Sequence, residues 1–232
     1  MAYLGKSAQQ GTVIENIERP SAKLVERYRE LYSAFVLDEF GKLGALSAEI
    51  GPLSPGLKIC GPAVTSLGAD LTVRRMAIDL AQPGDVLVVA AGGSADYACF
   101  GDGTAGRMLL KGLTGAVVDG CVRDAAGLRA LGFAAFCRGV TPRNFYYPAG
   151  LEHGAVNVPV HCGGVLVKPG DLVLGDDDGV VVVDRLAAAE HIDRLEANLA
   201  DERATRGAWT DYVPFDVRAE LVRRGFVFHE HA

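Results

Sequence analysis

The chain has 232 residues, enough for one substantial domain or two small ones, and 49% of them are hydrophobic, enough to fill a core. The formal charge is −6 with the acids dispersed, which argues against nucleic acid as a general ligand, because phosphate binding needs clustered Lys and Arg. Arg74-Arg75 and Arg223-Arg224 are too short to count as basic patches.

The opening run MAYLGKSAQQGTVIENIERP carries no apolar core and no cleavage-like site. No apolar run reaches the roughly 18 residues of a membrane span, so no membrane partner is expected. The first 18 or so residues read as an arm, and a helix is expected after Pro20-Ser21, where Leu24, Tyr28 and Leu31 fall at helical spacing. A second helix is expected over 33–43. Residues 57–67 read as a strand interrupted by a bend at Gly61-Pro62, and 71–80 has helical periodicity. Pro83-Gly84-Asp85 then turns into a buried strand at 86–90, and Pro169-Gly170-Asp171 repeats the device before Leu172.

From there the pattern alternates: helix near 105–112, strand near 115–119, helix near 125–131, strand near 133–137. Residues 155–183 hold only short β runs, with Asp177-Asp178-Gly179 as a hairpin-like turn and the acids from Asp176 to Asp178 read as a solvated turn rather than a metal site. From 185 to about 206 follows a charged helix with apolar Leu186, Ile192, Leu195 and Leu199. The class is α/β. Late strands without intervening helices favour a layered β/β/α core with helical N- and C-terminal extensions over a doubly wound sheet. The expected organisation is an arm with helices over 1–56, a catalytic core over 57–184 and a helical extension over 185–232, in one folded unit.

Several familiar chemistries are missing. Gly92-Gly93-Ser94 lacks the spaced glycines of a dinucleotide loop and the Lys of a phosphate loop, and Ser94 is not in a nucleophile elbow. The histidines His153, His161, His191, His229 and His231 show no H-E-x-x-H pattern. The five cysteines, Cys60, Cys99, Cys121, Cys137 and Cys162, form no C-x-x-C pair and are odd in number. Buried free thiols in a reducing, cytoplasmic setting explain them best.

What remains is a pair of charged clusters, Gly101-Asp102-Gly103-Thr104 and Asp119-Gly120-Cys121-Val122-Arg123-Asp124. The first opens a helix, whose free N–H groups and positive dipole end suit a carboxylate or phosphate. The second follows a strand and sets a cation beside a carboxylate: Arg123 suits a bidentate grip on a substrate carboxylate, and Asp124 is a hard oxygen ligand for Mg2+ or a similar ion. A plain structural reading competes, with Asp124, Asp102 and Thr104 as helix caps and Arg123 as a solvated charge.

The spacing of Asp102 from Arg123-Asp124, with 20 residues between, resembles the motif of the regulator of ribonuclease activity A-like family, in its class II pyruvate aldolase branch. Ala81-Gln82-Pro83-Gly84-Asp85-Val86-Leu87-Val88-Val89, Val156-Asn157-Val158-Pro159-Val160 and Gly175-Asp176-Asp177-Asp178-Gly179-Val180 extend the likeness across 61–183. The resemblance implies a swivelling-domain-like β/β/α fold and a lyase that cleaves 4-hydroxy-4-methyl-2-oxoglutarate or 4-carboxy-4-hydroxy-2-oxoadipate to pyruvate, with oxaloacetate decarboxylation alongside. It implies a divalent cation, Mg2+ or Mn2+, held by Asp124 largely through waters. By the same resemblance Arg123 would stabilise the enolate, Asp102 would orient a proton-shuttling water, and the Gly101, Gly103 and Thr104 region would take the pyruvyl carboxylate. It further implies a homotrimer or hexamer in which the C-terminal helix of a neighbour lends a Glu to the site; the tail Leu195-Glu196-Ala197-Asn198-Leu199-Ala200-Asp201-Glu202 does not align cleanly with that helix, and Glu196 and Glu202 are its candidates. The alternative is a noncatalytic protein-binding regulator of ribonuclease E. Two departures bear on substrate identity: Gly103-Thr104 stand where aldolases usually carry two leucines, and Gly68-Ala69-Asp70-Leu71-Thr72-Val73-Arg74-Arg75 lacks the usual Gly-Asp-Asn run and His.

Overall fold

The computed structural model describes residues 10–145 and 154–229; residues 1–9 of the expected arm, and His153 and His231, lie outside them. The chain divides into two units, Met1–Glu196 and Ala197–Ala232.

The first unit is built on four parallel strands, β2 (Ile59–Leu67), β3 (Val86–Phe100), β4 (Gly115–Val122) and β5 (Ala135–Val140), side by side in that order. The short β1 (Gly51–Pro52) pairs antiparallel with β5. Helices α3 (Leu71–Leu80), α4 (Asp102–Lys111) and α5 (Ala125–Ala130) make the crossovers between them. Strand alternation sorts the core into two faces. Leu87, Val89, Ala116 and Val118 pack with Ala77, Ile78, Ala105, Met108 and Leu128 of the helices. Val86, Val88, Val117 and Phe136 pack instead with Val173, Val180 and Val182 of the hairpin β9 (Leu172–Asp176) and β10 (Gly179–Val183). On that side lie also β6 (Ala155–Val156), paired with β2, and the hairpin β7 (Val160–Cys162) and β8 (Val165–Val167). The order hairpins, sheet, helices is the expected β/β/α layering.

At its start the unit carries α1 (Ala22–Arg29), capped by the Ser21 side chain, and α2 (Ser33–Glu39), shorter than the expected 33–43. The long α6 (Arg185–Gly207) begins in this unit, where Ala188, Ile192 and Leu195 are buried and Tyr28 donates its hydroxyl to the Ala188 carbonyl. The second unit carries α7 (Arg218–Arg223). Among the described residues, no helix is long and apolar enough to cross a membrane.

Two differences from expectation have clear causes. Gly61-Pro62 does not interrupt β2 but marks a change of partner: Ile59 to Pro62 pair with β9, and Ala63 to Leu67 pair with β3. Gly61 is required because a Cβ there would stand 2.1 Å from the Gly84 carbonyl oxygen. Strand β3 continues past residue 90 because its ladder with β4 is bulged. Between the Val89–Val118 and Phe100–Val122 pairs, β3 advances eleven residues while β4 advances four. Gly92 and Gly93, both at positive φ, absorb the excess. Asp176 accepts from the Asp178 N–H within the turn and from Ser33 of α2, and Asp177 accepts from the Gly56 N–H.

Candidate active site

The parallel β3–β4 ladder joins the two charged clusters. Its last pair is Phe100–Val122, and beyond it the Arg123 N–H donates to the Phe100 carbonyl at 2.8 Å. The chain then enters α4 from β3 and α5 from β4, so Gly101 to Thr104 and Arg123-Asp124 meet at the carboxyl ends of neighbouring strands, where open α/β sheets bind ligands. They line an open cleft of about 800 Å³.

Asp124 stands at the cap position of α5 without using its side chain as a cap. It precedes α5, but its backbone is left-handed (φ 57°, ψ 39°) and its side chain caps nothing. A non-glycine residue held there is uncommon, and such outliers gather at functional sites. The carboxylate turns back to Arg123, whose Nε–H donates to Oδ2 at 3.1 Å and Oδ1 at 3.3 Å. That leaves the two terminal amino groups of the guanidinium without a partner among the described residues. A Cβ on Gly101 would stand 2.5 Å from Asp124 Oδ2, so the carboxylate occupies space that only glycine leaves. Asp102 is seated the same way on the far wall: a Cβ on Gly127 of α5 would stand 2.2 Å from its Oδ2.

At the start of α4 the cap is Gly101, extended and without a side-chain bond, and not Asp102 or Thr104. The Thr104 N–H donates to the Gly101 carbonyl at 3.1 Å, so the N–H groups without an acceptor among the described residues are those of Asp102 and Gly103. The open donors thus sit one residue earlier than expected. Asp119 departs from its cluster altogether. Strand alternation sends it to the opposite face with Val117, where it accepts from Arg138 Nε at 2.6 Å and the Gly163 N–H at 3.0 Å. Glu196 accepts from Arg27 Nε at 2.8 Å and Nη2 at 2.6 Å, a pair that pulls its carboxyl below the usual range. Glu202 pairs with Arg206.

The donor set can be tested against a divalent ion. Among the described residues no group of three His, Cys, Asp or Glu side chains could enclose a metal, so a closed zinc-type site is not built here. A half-exposed carboxylate held by a glycine cradle at the edge of an open, polar cleft suits an ion that keeps most of its waters, as Mg2+ and Mn2+ do. The residues present are compatible with that group, and Asp124 is the carboxylate that would hold it.

Sequence reasoning passed over the rest of the lining. Arg74, Arg75 and Arg107 also face the cleft, with no carboxylate within ion-pair distance among the described residues. Arg74 is the unexpected one, 4% exposed. A signal for it existed: 74, 77, 78 and 81 form one helical stripe, and Ala77, Ile78 and Ala81 are buried. All five cysteines are buried and free, as expected.

Comparison with known proteins agrees with the fold. The family model described as RraA-like (Aldolase/RraA) matches residues 33–182. A Halalkalibacterium halodurans protein named "Putative 4-hydroxy-4-methyl-2-oxoglutarate aldolase" is 35% identical over 200 residues, covering 85% of this chain and 93% of that protein. The solved structure of Streptomyces coelicolor RraAS2, described as an unusual member of the RNase ES inhibitor RraA protein family, matches with TM-score 0.71 and 37% identity over 82% of this chain and all of that one. The RNA-processing inhibitor RraA from Thermus thermophilis matches with TM-score 0.59 and 29% identity over 66% of this chain and 93% of its own.

Proposed function

Because this chain belongs to the RraA-like (Aldolase/RraA) family, we propose that it is a divalent-metal-dependent lyase that releases pyruvate from a 4-hydroxy-2-oxoacid. The substrate would be of the 4-hydroxy-4-methyl-2-oxoglutarate or 4-carboxy-4-hydroxy-2-oxoadipate type, and oxaloacetate would be decarboxylated at the same site. The observation that carries the reading is Asp124, a left-handed acid that caps nothing and is cradled by Gly101 at the cleft.

A divalent ion at Asp124, when bound, supplies Lewis acidity toward the substrate's 2-keto oxygen. The chain's own residues do the remainder. The open N–H groups of Asp102 and Gly103 and the positive end of α4 receive the pyruvyl carboxylate. With Nε committed to Asp124, the outer amino groups of Arg123 meet the keto oxygen as the C3–C4 bond breaks and its electron pair moves to form the enolate. Asp102 holds the water that takes the proton of the C4 hydroxyl as C4 becomes a carbonyl carbon, and that then gives a proton to C3, so that pyruvate and a second carbonyl compound leave. Decarboxylation of oxaloacetate breaks the equivalent bond, releases CO2 and passes through the same enolate, so one site would serve both reactions. We also take the chain to assemble as a homotrimer or hexamer.

The rival reading, a protein-binding regulator, is favoured by the descriptions of the two RraA structures. The deciding experiment is pyruvate release from branched and unbranched 4-hydroxy-2-oxoacids, with and without Mg2+ or Mn2+, beside calorimetric Mn2+ titration of wild type and Asp124→Asn. Asn tolerates left-handed backbone and no cap bond is lost, so the variant should keep its melting temperature, bind Mn2+ weakly and release almost no pyruvate. Unchanged Mn2+ affinity, or a wild type inert with every substrate, moves the reading to the regulator.

A further inference from the structure

Arg74 is a charged group that the protein has largely removed from water, with no carboxylate within ion-pair distance among the described residues. It projects from α3 on the same helical stripe as Ala77 and Ile78, and only 4% of it is exposed. Of its five N–H donors, one on Nη1 reaches the Ala69 carbonyl at 3.2 Å, and Nε is buried with no partner. Burial pulls the guanidinium below the usual arginine range, against the weaker opposing pull of Cys99 and Asp70. Leaving a buried donor unsatisfied is costly, and a buried charge is costlier still unless it is paired. Arg74 nevertheless lines the cleft that holds Gly101, Asp102, Arg123 and Asp124.

We propose that Arg74 is the receptor for a second carboxylate of the ligand, at the end remote from the pyruvyl group, and that it sets the preference for a dianionic over a monoanionic substrate. A carboxylate entering the cleft supplies the missing acceptor and the missing counter-charge together. Its pairing with a guanidinium is two-pointed and works best where water has already been excluded. The exposed Arg75 and Arg107 are poorer candidates despite lining the same cleft. They are hydrated in the free protein, so an ion pair there replaces water contacts and gains little. Arg74 has few such contacts to lose. A site whose buried donors await a partner also rejects the analogue lacking it, because those donors then stay unpaired. The inference rests on the proposed seating of the pyruvyl end at the start of α4 for the direction of the ligand, but not on cleavage.

The test uses two five-carbon 2-oxoacids that differ only at C5. 2-Oxoglutarate carries a carboxylate there and 2-oxopentanoate a methyl group. Calorimetric titration of each into the full chain in Mg2+ buffer should show 2-oxoglutarate binding about 10- to 100-fold more tightly, the worth of a charge-assisted hydrogen bond. Arg74→Met fills similar volume, and in it the two ligands should bind within about threefold of each other, with the 2-oxopentanoate affinity unchanged. A merely structural arginine would lower the melting temperature without altering that ratio. Arg74→Lys keeps the charge but loses the fork, and should show an intermediate ratio; it serves if the methionine variant fails to fold. A wild type that binds both ligands equally, or a folded variant that keeps the full preference, overturns the proposal. An Arg74-dependent preference in a protein that cleaves no 4-hydroxy-2-oxoacid would support this inference and overturn the lyase reading.

Discussion

At Gly101 the backbone is extended (φ −158°), a conformation open to any residue, so what reserves the position for glycine is its neighbour. The first side-chain atom of any other residue would stand 2.5 Å from Asp124 Oδ2 and 3.1 Å from Arg123 Cγ. Gly101→Ala should therefore fold normally, with no backbone strain, yet push the Asp124–Arg123 pair out of place. Turnover is expected to fall by about 10²-fold or more, the usual cost of losing one group that stabilises developing charge. Steady-state pyruvate release and a thermal melt, run together, check this; a variant above roughly a tenth of wild-type turnover removes the close approach from the mechanism. The cysteines give a second prediction at this scale. Burial pushes the Cys99 thiol up to about 11 and Cys60 to about 12, from an ordinary 9.0. Iodoacetamide at about pH 8 should leave the native chain unlabelled, since the thiolate is the reacting form and the thiols are buried, and should add five groups after denaturation. The folded thiols hold their protons more tightly than the unfolded ones. Their contribution to stability is therefore complete below pH 9.0 and is lost as pH rises through about 11, which denaturant titrations at several alkaline pH values would show.

The two Pro-Gly-Asp turns show how short motifs anchor whole elements. Asp85, 1% exposed, closes its own turn by accepting from the Gln82 N–H at 2.7 Å and ties in the N-terminal segment through Arg19 Nε at 3.0 Å and Nη2 at 2.8 Å. Asp171 closes its turn on the Lys168 N–H at 2.9 Å and meets the first N–H of α6, from Arg185, at 3.4 Å. Asp85→Ala should cost on the order of 3 kcal/mol in urea unfolding, toward the low end for breaking a buried pair because Arg19 keeps some contact with water. A loss near zero would mean the arm is not held by this pair. These turns were legible in the sequence because a Pro-Gly-Asp run before a β-branched stretch is a local signal, as were α3 from its periodicity and the parallel alternation that brings β3 and β4 together. Strand β3 beyond residue 90 was not legible, because bulges at Gly92 and Gly93 break the period-2 pattern on which strand reading depends. Part of the site was hidden for a related reason. Asp102, Arg123 and Asp124 stand out by spacing and resemblance, but whether the Asp124 side chain caps α5 depends on one backbone torsion, and Arg74 reads as a surface charge by residue type even though the stripe it shares with Ala77, Ile78 and Ala81 puts it on the buried face.

On the scale of the whole molecule, the two units differ in how they spend their apolar residues. In Met1–Glu196 they fill the two faces of the sheet. In Ala197–Ala232 large apolar groups are left open: Trp209 is 70% exposed, Tyr212 81%, Phe215 85% and Val227 74%. Exposed apolar groups gathered in one short segment mark an interaction surface, and the proposed homotrimer or hexamer supplies a partner in further copies of the chain. Trp209 is the chain's single tryptophan, so its fluorescence reports on this segment alone. Sedimentation is expected to give three or six times the 24.4 kDa chain mass, with Trp209 emission blue-shifted and protected from acrylamide in the assembly. A chain ending at Gly207, the last residue of α6, should sediment as a smaller species while keeping the far-UV signature of the β/β/α core. A full chain that stays monomeric at every concentration, or an assembly in which acrylamide quenches Trp209 freely, would remove this segment from the interface.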